Sequence, residues 1–138
     1  MRGRIGPRLI RVTVFKAASD ERWRDAQCLY KAGRYQGAIY LCGFAIECQL
    51  KANLCTARRV ESLEEREAKK LGHELAHVLD AARLSGKLIE NEDLQIAFSK
   101  IANRWSTEIR YSGGGSNKRE CQRFLKDSEA LLSWLKTQ

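Results

Sequence analysis

The chain has 138 residues, of which 43% are hydrophobic and 30% charged, with one proline and ten glycines. This composition is typical of a single globular domain and excludes collagen-like, low-complexity and disordered classes. The longest apolar stretch, residues 38–46, is far shorter than the roughly 20 residues of a membrane span. We therefore expect no membrane partner.

The formal net charge is +8, and most of the excess lies at the start of the chain. Residues 1–16 contain four arginines, one lysine and no acid. We predict a basic N-terminal arm over residues 1–16 and one domain over residues 17–138. The arm is either a solvated, poorly ordered terminus or a segment that contacts phosphates, and its composition also fits a targeting segment.

Five cysteines, an odd number with no CxxC pair, argue against a disulfide framework and against a zinc ribbon. Three of them fall within residues 42–55, where they alternate with apolar residues. We interpret them as small buried hydrophobic residues of a protein in the reducing cytoplasm.

After a short β-like run over residues 9–15, the apolar spacing is helical almost throughout. Ser19, followed by two acids, predicts the N-cap of a first helix, and Gly33 predicts its end. Residues 36–57 form a second helix that is apolar on most of its circumference. Such a helix belongs at the centre of a bundle.

The remaining side of this second helix carries Tyr40, Gly43, Glu47 and Lys51 at helical spacing. Because burial of a lone carboxylate is costly, Glu47 needs a partner, and Lys51 one turn later is the nearest candidate. The pair is either a simple ion pair on the helix surface or part of a polar seam that faces another subunit or a ligand.

A charged helical start over residues 61–70 leads into a third helix, whose buried stripe covers residues 71–82 and which ends near residues 85–86. Asn91 is placed to cap a fourth helix. Trp105 and Ile109 are among the residues of that helix that face inward.

The glycine-rich stretch 112–116 then interrupts the helical pattern. Asn117, with Glu120 three residues later, resembles a capping box for a last helix. The predicted fold is an all-α, four- to five-helix up-and-down bundle joined by short loops.

The most conspicuous short motif is HExxH at residues 73–77. On a helix, His73 and His77 lie on one face and can share a Zn²⁺ ion, while Glu74 can act as general base on a metal-bound water. This interpretation predicts a zinc metallohydrolase. The alternative is a pair of histidines that hydrogen-bond locally, with no cofactor.

A second cluster, formed by Arg104, Trp105, Arg110 and Tyr111, stands at the end of the fourth predicted helix beside the glycines. Arginine offers a planar fork for phosphate, and aromatic rings stack on bases. Trp105 alone fits core packing, whereas packing explains Arg110 and Tyr111 less well. These two residues are candidate contacts for nucleotide or RNA phosphate.

Residues 33–52 read GRYQGAIYLCGFAIECQLKA, and this block resembles the first two helices of bacterial HEPN-domain proteins. A Gly-His-Glu-Leu segment at residues 72–75 and a tryptophan-containing helix that ends in Arg110-Tyr111 follow in the family's order. The resemblance implies a single-domain HEPN protein with a helical, often dimeric, bundle. It also makes His73 and Glu74 family positions and His77 an incidental neighbour.

The resemblance implies two classes of function. Many HEPN domains are metal-independent ribonucleases with an Arg-x(4–6)-His motif, but no histidine follows Arg110 in this chain. We therefore leave catalysis open, with Arg110 and His73 as candidate catalytic residues. Other members bind nucleotides or RNA, or pair with a nucleotidyltransferase or another toxin–antitoxin or defence component.

The sequence thus predicts a cytoplasmic HEPN-like module that binds nucleotide or RNA through Arg34, Lys51, Arg110 and Tyr111. We expect a homodimer, or a subunit that joins a partner protein such as a nucleotidyltransferase. A metal-independent ribonuclease with an atypical site is one alternative, and the zinc metallohydrolase is a second.

Overall fold

The computed structural model describes residues 6–105 and 116–138. In chain order the elements are β1 (Leu9–Arg11), α1 (Val12–Lys31), α2 (Tyr35–Arg58), β2 (Ser62–Glu64), α3 (Glu65–Leu71), α4 (Leu75–Ala81), α5 (Ser85–Ile89), α6 (Glu92–Arg104) and α7 (Lys118–Lys136). The predicted helical bundle is confirmed, although the described residues form seven helices rather than four or five. None of the helices in these two ranges is long and apolar enough to cross a membrane.

Helix α2 lies at the centre of the bundle, as its apolar circumference predicts. Its bounds agree with the predicted residues 36–57 to within one residue at each end. Ile39, Ile46 and Leu50 are fully buried, and α2 packs against α1, α7 and α4. Each such aliphatic side chain contributes about 1.5–3 kcal/mol on burial, so α2 supplies much of the hydrophobic stabilisation.

Helix α1 begins at Val12, well before the start predicted at Ser19. Ser19 is therefore not an N-cap, and that prediction is wrong. The side chain is buried inside the helix and its hydroxyl donates a hydrogen bond to the carbonyl oxygen of Ala45 at 2.7 Å. A serine hydroxyl can satisfy either a local backbone group or a distant one, and here the distant carbonyl on α2 is its partner.

The residues that precede α1 are part of the fold. Strand Leu9–Arg11 pairs antiparallel with Ser62–Glu64, so only the first part of the predicted β-like run is a strand. The predicted boundary of the basic arm at residue 16 falls inside α1. Phe15 is buried in the core, and Ile10 and Val12 pack against it, so this part of the arm joins the bundle from residue 10 onward.

The third predicted helix is divided into α3 and α4, and a further short helix, α5, begins where it was predicted to end. Gly72 follows α3 with a φ of +72°, and Arg83 separates α4 from α5 with a φ of +61°. Such left-handed backbone ends a helix, and glycine adopts it at little cost. The prediction of one continuous helix over residues 71–82 is wrong. The helical spacing of the apolar residues continues across the break, so the spacing alone does not reveal it.

Helices α6 and α7 begin where the sequence predicts. The side chain of Asn91 accepts a hydrogen bond from the backbone N–H three residues later at 3.2 Å, and that of Asn117 does the same at 2.8 Å. Helix α6 ends at Arg104, so the prediction that Trp105 lies within this helix is wrong: its backbone is extended. The Trp105 side chain is nevertheless buried as expected. Ile109 lies outside the described residues.

The five cysteines are free thiols. Of the three predicted to be buried, Cys42 and Cys55 are buried and Cys48 is only half-buried. Cys121 is also buried, whereas Cys28 is exposed. Burial raises the pKa of Cys42 to about 12, so this thiol stays protonated at neutral pH and packs as an apolar group.

Candidate functional site

A buried carboxylate joins two elements of the bundle. Glu47 on α2 is 4% exposed. Its Oε2 accepts a hydrogen bond from Lys51 Nζ at 3.0 Å, and its Oε1 accepts one from His73 Nδ1 at 2.6 Å. Lys51 is buried as well. The predicted pair of Glu47 and Lys51 therefore lies inside the protein rather than on the helix surface.

His73 reaches Glu47 from the turn between α3 and α4. Because a carboxylate only accepts, the Nδ1 atom carries the proton of this bond, and Nε2 is the ring nitrogen available to a ligand. The His73 side chain is 45% exposed. The ring of Phe44 meets it edge-on, with centroids 5.9 Å apart and an interplanar angle of 85°. The imidazole is thus fixed in position and in tautomer.

Trp105 closes one side of this cluster. Its Nε1 donates a hydrogen bond to the carbonyl oxygen of Tyr40 at 2.9 Å. The indole lies directly on Gly43, where an added Cβ would come within 2.1 Å of Nε1. Phe44 packs edge-on against Trp105 at 5.4 Å between centroids. Only glycine at position 43 permits this close approach of α2 and the end of α6.

A cleft of about 450 Å³ opens between the start of α4 and the end of α6. Its lining residues are His73, Glu74, Leu75, Ala76, Ala102, Asn103 and Trp105. The volume lies within the roughly 300–1,000 Å³ of small-molecule sites, which combine apolar walls with a few polar groups. The cleft can therefore hold a ligand of about the size of a nucleotide.

Cys48 adjoins Glu47 in the sequence and is half-buried. Burial raises the pKa of this thiol to about 11, and the negative charge of Glu47 adds to the rise. The thiol therefore stays protonated at neutral pH and is a poor nucleophile. This leaves the imidazole and the carboxylate as the candidate acid–base groups of the cluster.

The HExxH motif does not lie on one helix. Helix α4 begins at Leu75, so His73 and Glu74 precede it and only His77 of the two histidines is helical. Positions i and i+4 share a face only within a helix, and the predicted placement of both histidines on one face is wrong. In the described ranges no three His, Cys, Asp or Glu side chains are grouped to hold a metal ion.

The other predicted ligand contacts do not meet in one place. Arg34 is exposed at the start of α2 and lines a separate depression of about 430 Å³ with Ser116. Lys51 lies about 25 Å farther along the helix axis, at 1.5 Å per residue. One small ligand therefore cannot contact both side chains. Arg110 and Tyr111 lie outside the described residues.

The hydrogen bond between His73 and Glu47 is not predicted from the sequence, because 26 residues separate the two side chains. One signal could have indicated it. A carboxylate has two oxygens that need donors when buried, and Lys51 is placed to supply only one. A second donor from another element was therefore required.

The sequence profile of the HEPN domain matches residues 14–138. The chain belongs to the HEPN family. Its fold is also similar to the crystal structure of an archaeal HEPN homologue, with a TM-score of 0.63, 17% sequence identity, and coverage of 93% of this chain and 97% of that one. No curated protein sequence matches the chain significantly. The HEPN match includes Glu47, His73 and Trp105, so the whole cluster belongs to the domain.

Proposed function

We propose that this HEPN domain binds a nucleotide or RNA in the cleft beside His73. The observation that carries the proposal is the His73 imidazole, which lines the cleft and is bound to Glu47 through Nδ1, so that Nε2 is the nitrogen left for a ligand. A protonated imidazole donates to a phosphate oxygen, and a neutral one accepts from a ribose hydroxyl. The amide of Asn103 offers both a donor and an acceptor for a base edge.

The remaining predicted contacts take different parts in this proposal. Lys51 acts through Glu47, because its ammonium is buried and bound to that carboxylate. Arg34 is a separate phosphate contact, since its exposed guanidinium offers a planar fork. Arg110 and Tyr111 stay predicted contacts for phosphate and base.

Binding of labelled short RNA and of nucleoside monophosphates tests the proposal, with His73→Asn as the variant and His77→Asn as its matched control. Both histidines are exposed, but only His73 lines the cleft. We expect His73→Asn to weaken binding and His77→Asn to leave the affinity unchanged. Equal affinities of the two variants, or no binding by the wild type, would discard the proposal. Circular dichroism checks that each variant is folded.

A metal-independent ribonuclease is the second candidate, and the His73–Glu47 bond is the observation that favours it. A general base held by a carboxylate is a recurrent arrangement for proton transfer. His73 Nε2 would take the proton of a ribose 2′-hydroxyl as that oxygen attacks phosphorus, while the departing 5′-oxygen takes a proton from water. Arg110 is the candidate cation for the phosphate. Chelator-resistant cleavage that His73→Asn and Glu47→Gln both abolish supports this function, and RNA binding without cleavage rejects it.

We also propose that the domain acts in the cytoplasm as a homodimer, or with a partner such as a nucleotidyltransferase, in a toxin–antitoxin or defence-type assembly. Membership of the HEPN family supports this proposal. Light scattering on the purified protein measures its mass directly. A monomer that co-purifies with no second chain counts against both forms of assembly.

A further inference from the structure

A groove of about 290 Å³ lies between α6 and α7. Helix α6 contributes Lys100, Ile101 and Arg104 to this groove, whereas it contributes Ala102 and Asn103 to the His73 cleft. At 3.6 residues per turn, these two sets project from opposite sides of the helix. The groove is therefore a separate site, one helix width from the cleft.

The groove carries an excess of positive charge. Four cations and two carboxylates line it. One carboxylate, Glu120, is already engaged, because Arg104 Nε donates to it at 2.7 Å. Lys100, Arg119 and Arg123 are exposed and make no ion pair within the residues that the structure describes. Among the described residues that line the groove, Asp127 is the one carboxylate left to balance these three cations.

Arg119 occupies an unfavourable position for the stability of its helix. It lies in the first turn of α7, directly after Lys118. The first turn carries the positive end of the helix dipole, which favours anions and repels cations. Functional sites are places where a residue type that disfavours its own secondary-structure position is expected. A bound anion would remove this conflict, because it would lie between the cations and the helix terminus.

The spacing and floor of the groove fit more than one phosphate group. Arg119 and Arg123 are four residues apart on α7, so their Cβ atoms are about 6 Å apart on one face. Lys100 faces them from α6. The buried side chains of Ile101 and Phe124 form an apolar floor, and such walls strengthen the field that the cations produce. Each arginine fork can hold a phosphate through two parallel hydrogen bonds.

We propose that this groove binds consecutive phosphates of a single-stranded polynucleotide. The inference rests on the proposed function and names its ligand class, because a strand can bind to the His73 cleft and continue to the groove. The path joins sites on opposite sides of α6, a helix about 10–12 Å across with its side chains. A mononucleotide is too short for this path and contacts the cleft alone.

Salt-dependent binding of labelled oligouridylates and oligothymidylates tests the groove. The variant is Arg119→Gln with Arg123→Gln, and the matched control is Arg24→Gln with Arg66→Gln. The control arginines are exposed on α1 and α3, and both double changes remove the same charge. A single-stranded ligand gives a slope of log affinity against log salt of about −0.7 for each phosphate contacted. We expect the groove variant to reduce this slope by about 1.4, and the control to leave it near that of the wild type.

Ligand length distinguishes the groove from the cleft. Mononucleotide affinity should be equal in the groove variant and in the wild type, while decanucleotide affinity should fall in the variant. If His73→Asn leaves binding unchanged but the groove variant weakens decanucleotide binding, the cleft proposal fails and the groove stands. An unchanged salt slope in the groove variant, or an equal fall in the control, overturns the groove proposal. Loss of binding to an acidic peptide, with polynucleotide binding intact, overturns it as well.

Discussion

Substitution of Gly43 by alanine tests the packing that holds the candidate site together. The added Cβ would lie 2.1 Å from Trp105 Nε1 and 2.2 Å from two ring carbons, so the indole must move. Trp105 then loses its hydrogen bond to the Tyr40 carbonyl and part of its burial. Complete removal of a buried tryptophan costs about 3–5 kcal/mol, and alanine returns about 1 kcal/mol of helix propensity. We expect the free energy of unfolding to fall by about 2–4 kcal/mol.

Urea unfolding followed by circular dichroism measures this change, and Gly37→Ala is the matched control in the same helix. A Cβ at position 37 would meet only the flexible end of Leu29, at 3.3 Å. The control should be neutral or more stable by up to about 1 kcal/mol. Because Trp105 lines the cleft, Gly43→Ala should also weaken nucleotide binding. A Gly43→Ala protein as stable as the control would refute the contact between α2 and Trp105.

Four further predictions have defined outcomes. Glu47→Gln leaves the buried ammonium of Lys51 without a counter-charge, and we expect the free energy of unfolding in urea to fall by about 3–5 kcal/mol. The combined change Glu47→Leu with Lys51→Met should recover most of this loss. At pH 8 a disulfide-exchange reagent should modify the exposed Cys28 rapidly and the buried Cys42 only after unfolding. Burial raises the pKa of Cys42 from 9.0 to about 12, so the folded chain keeps a proton that the unfolded chain releases. The contribution of this proton uptake to the free energy of unfolding is complete below pH 9 and is lost between pH 9 and 12. A urea midpoint that rose over this range would contradict the expectation. Asn117→Ala removes the cap of α7 and should lower stability by about 1 kcal/mol, whereas an unchanged midpoint would show that the cap contributes nothing.

Local sequence signals predicted the elements whose ends depend on local chemistry. Asn91 and Asn117 cap α6 and α7 because an asparagine oxygen meets a backbone N–H only three residues away. The continuous apolar surface of α2 identifies the centre of the bundle without any knowledge of its neighbours. The errors arose where a partner lies far away in the sequence. Ser19 looked like a cap because its acceptor, the carbonyl of Ala45, belongs to another helix.

The candidate site was predictable only in part for the same reason. Lys51 lies one turn from Glu47, so helix periodicity alone pairs them. The HExxH pattern drew attention to His73, which lines the cleft, but paired it with the wrong neighbour. Gly72 turns the backbone before α4 begins, and this turn brings the imidazole to Glu47 rather than to His77. A short motif gives only residue types and their spacing. The backbone conformation between these residues decides whether their side chains can bind one ligand.

The position of α2 has a consequence for the order in which the protein can fold during synthesis. Helices α1 and α2 are adjacent in the chain and can associate as soon as both have been translated. One face of α2, however, is covered by α7, and Asn53 on that face donates to the carbonyl oxygen of Leu135 at 2.9 Å. Until the α7 sequence emerges, that face lacks the helix that covers it in the folded domain. A nascent chain at this stage exposes the kind of surface that chaperones bind.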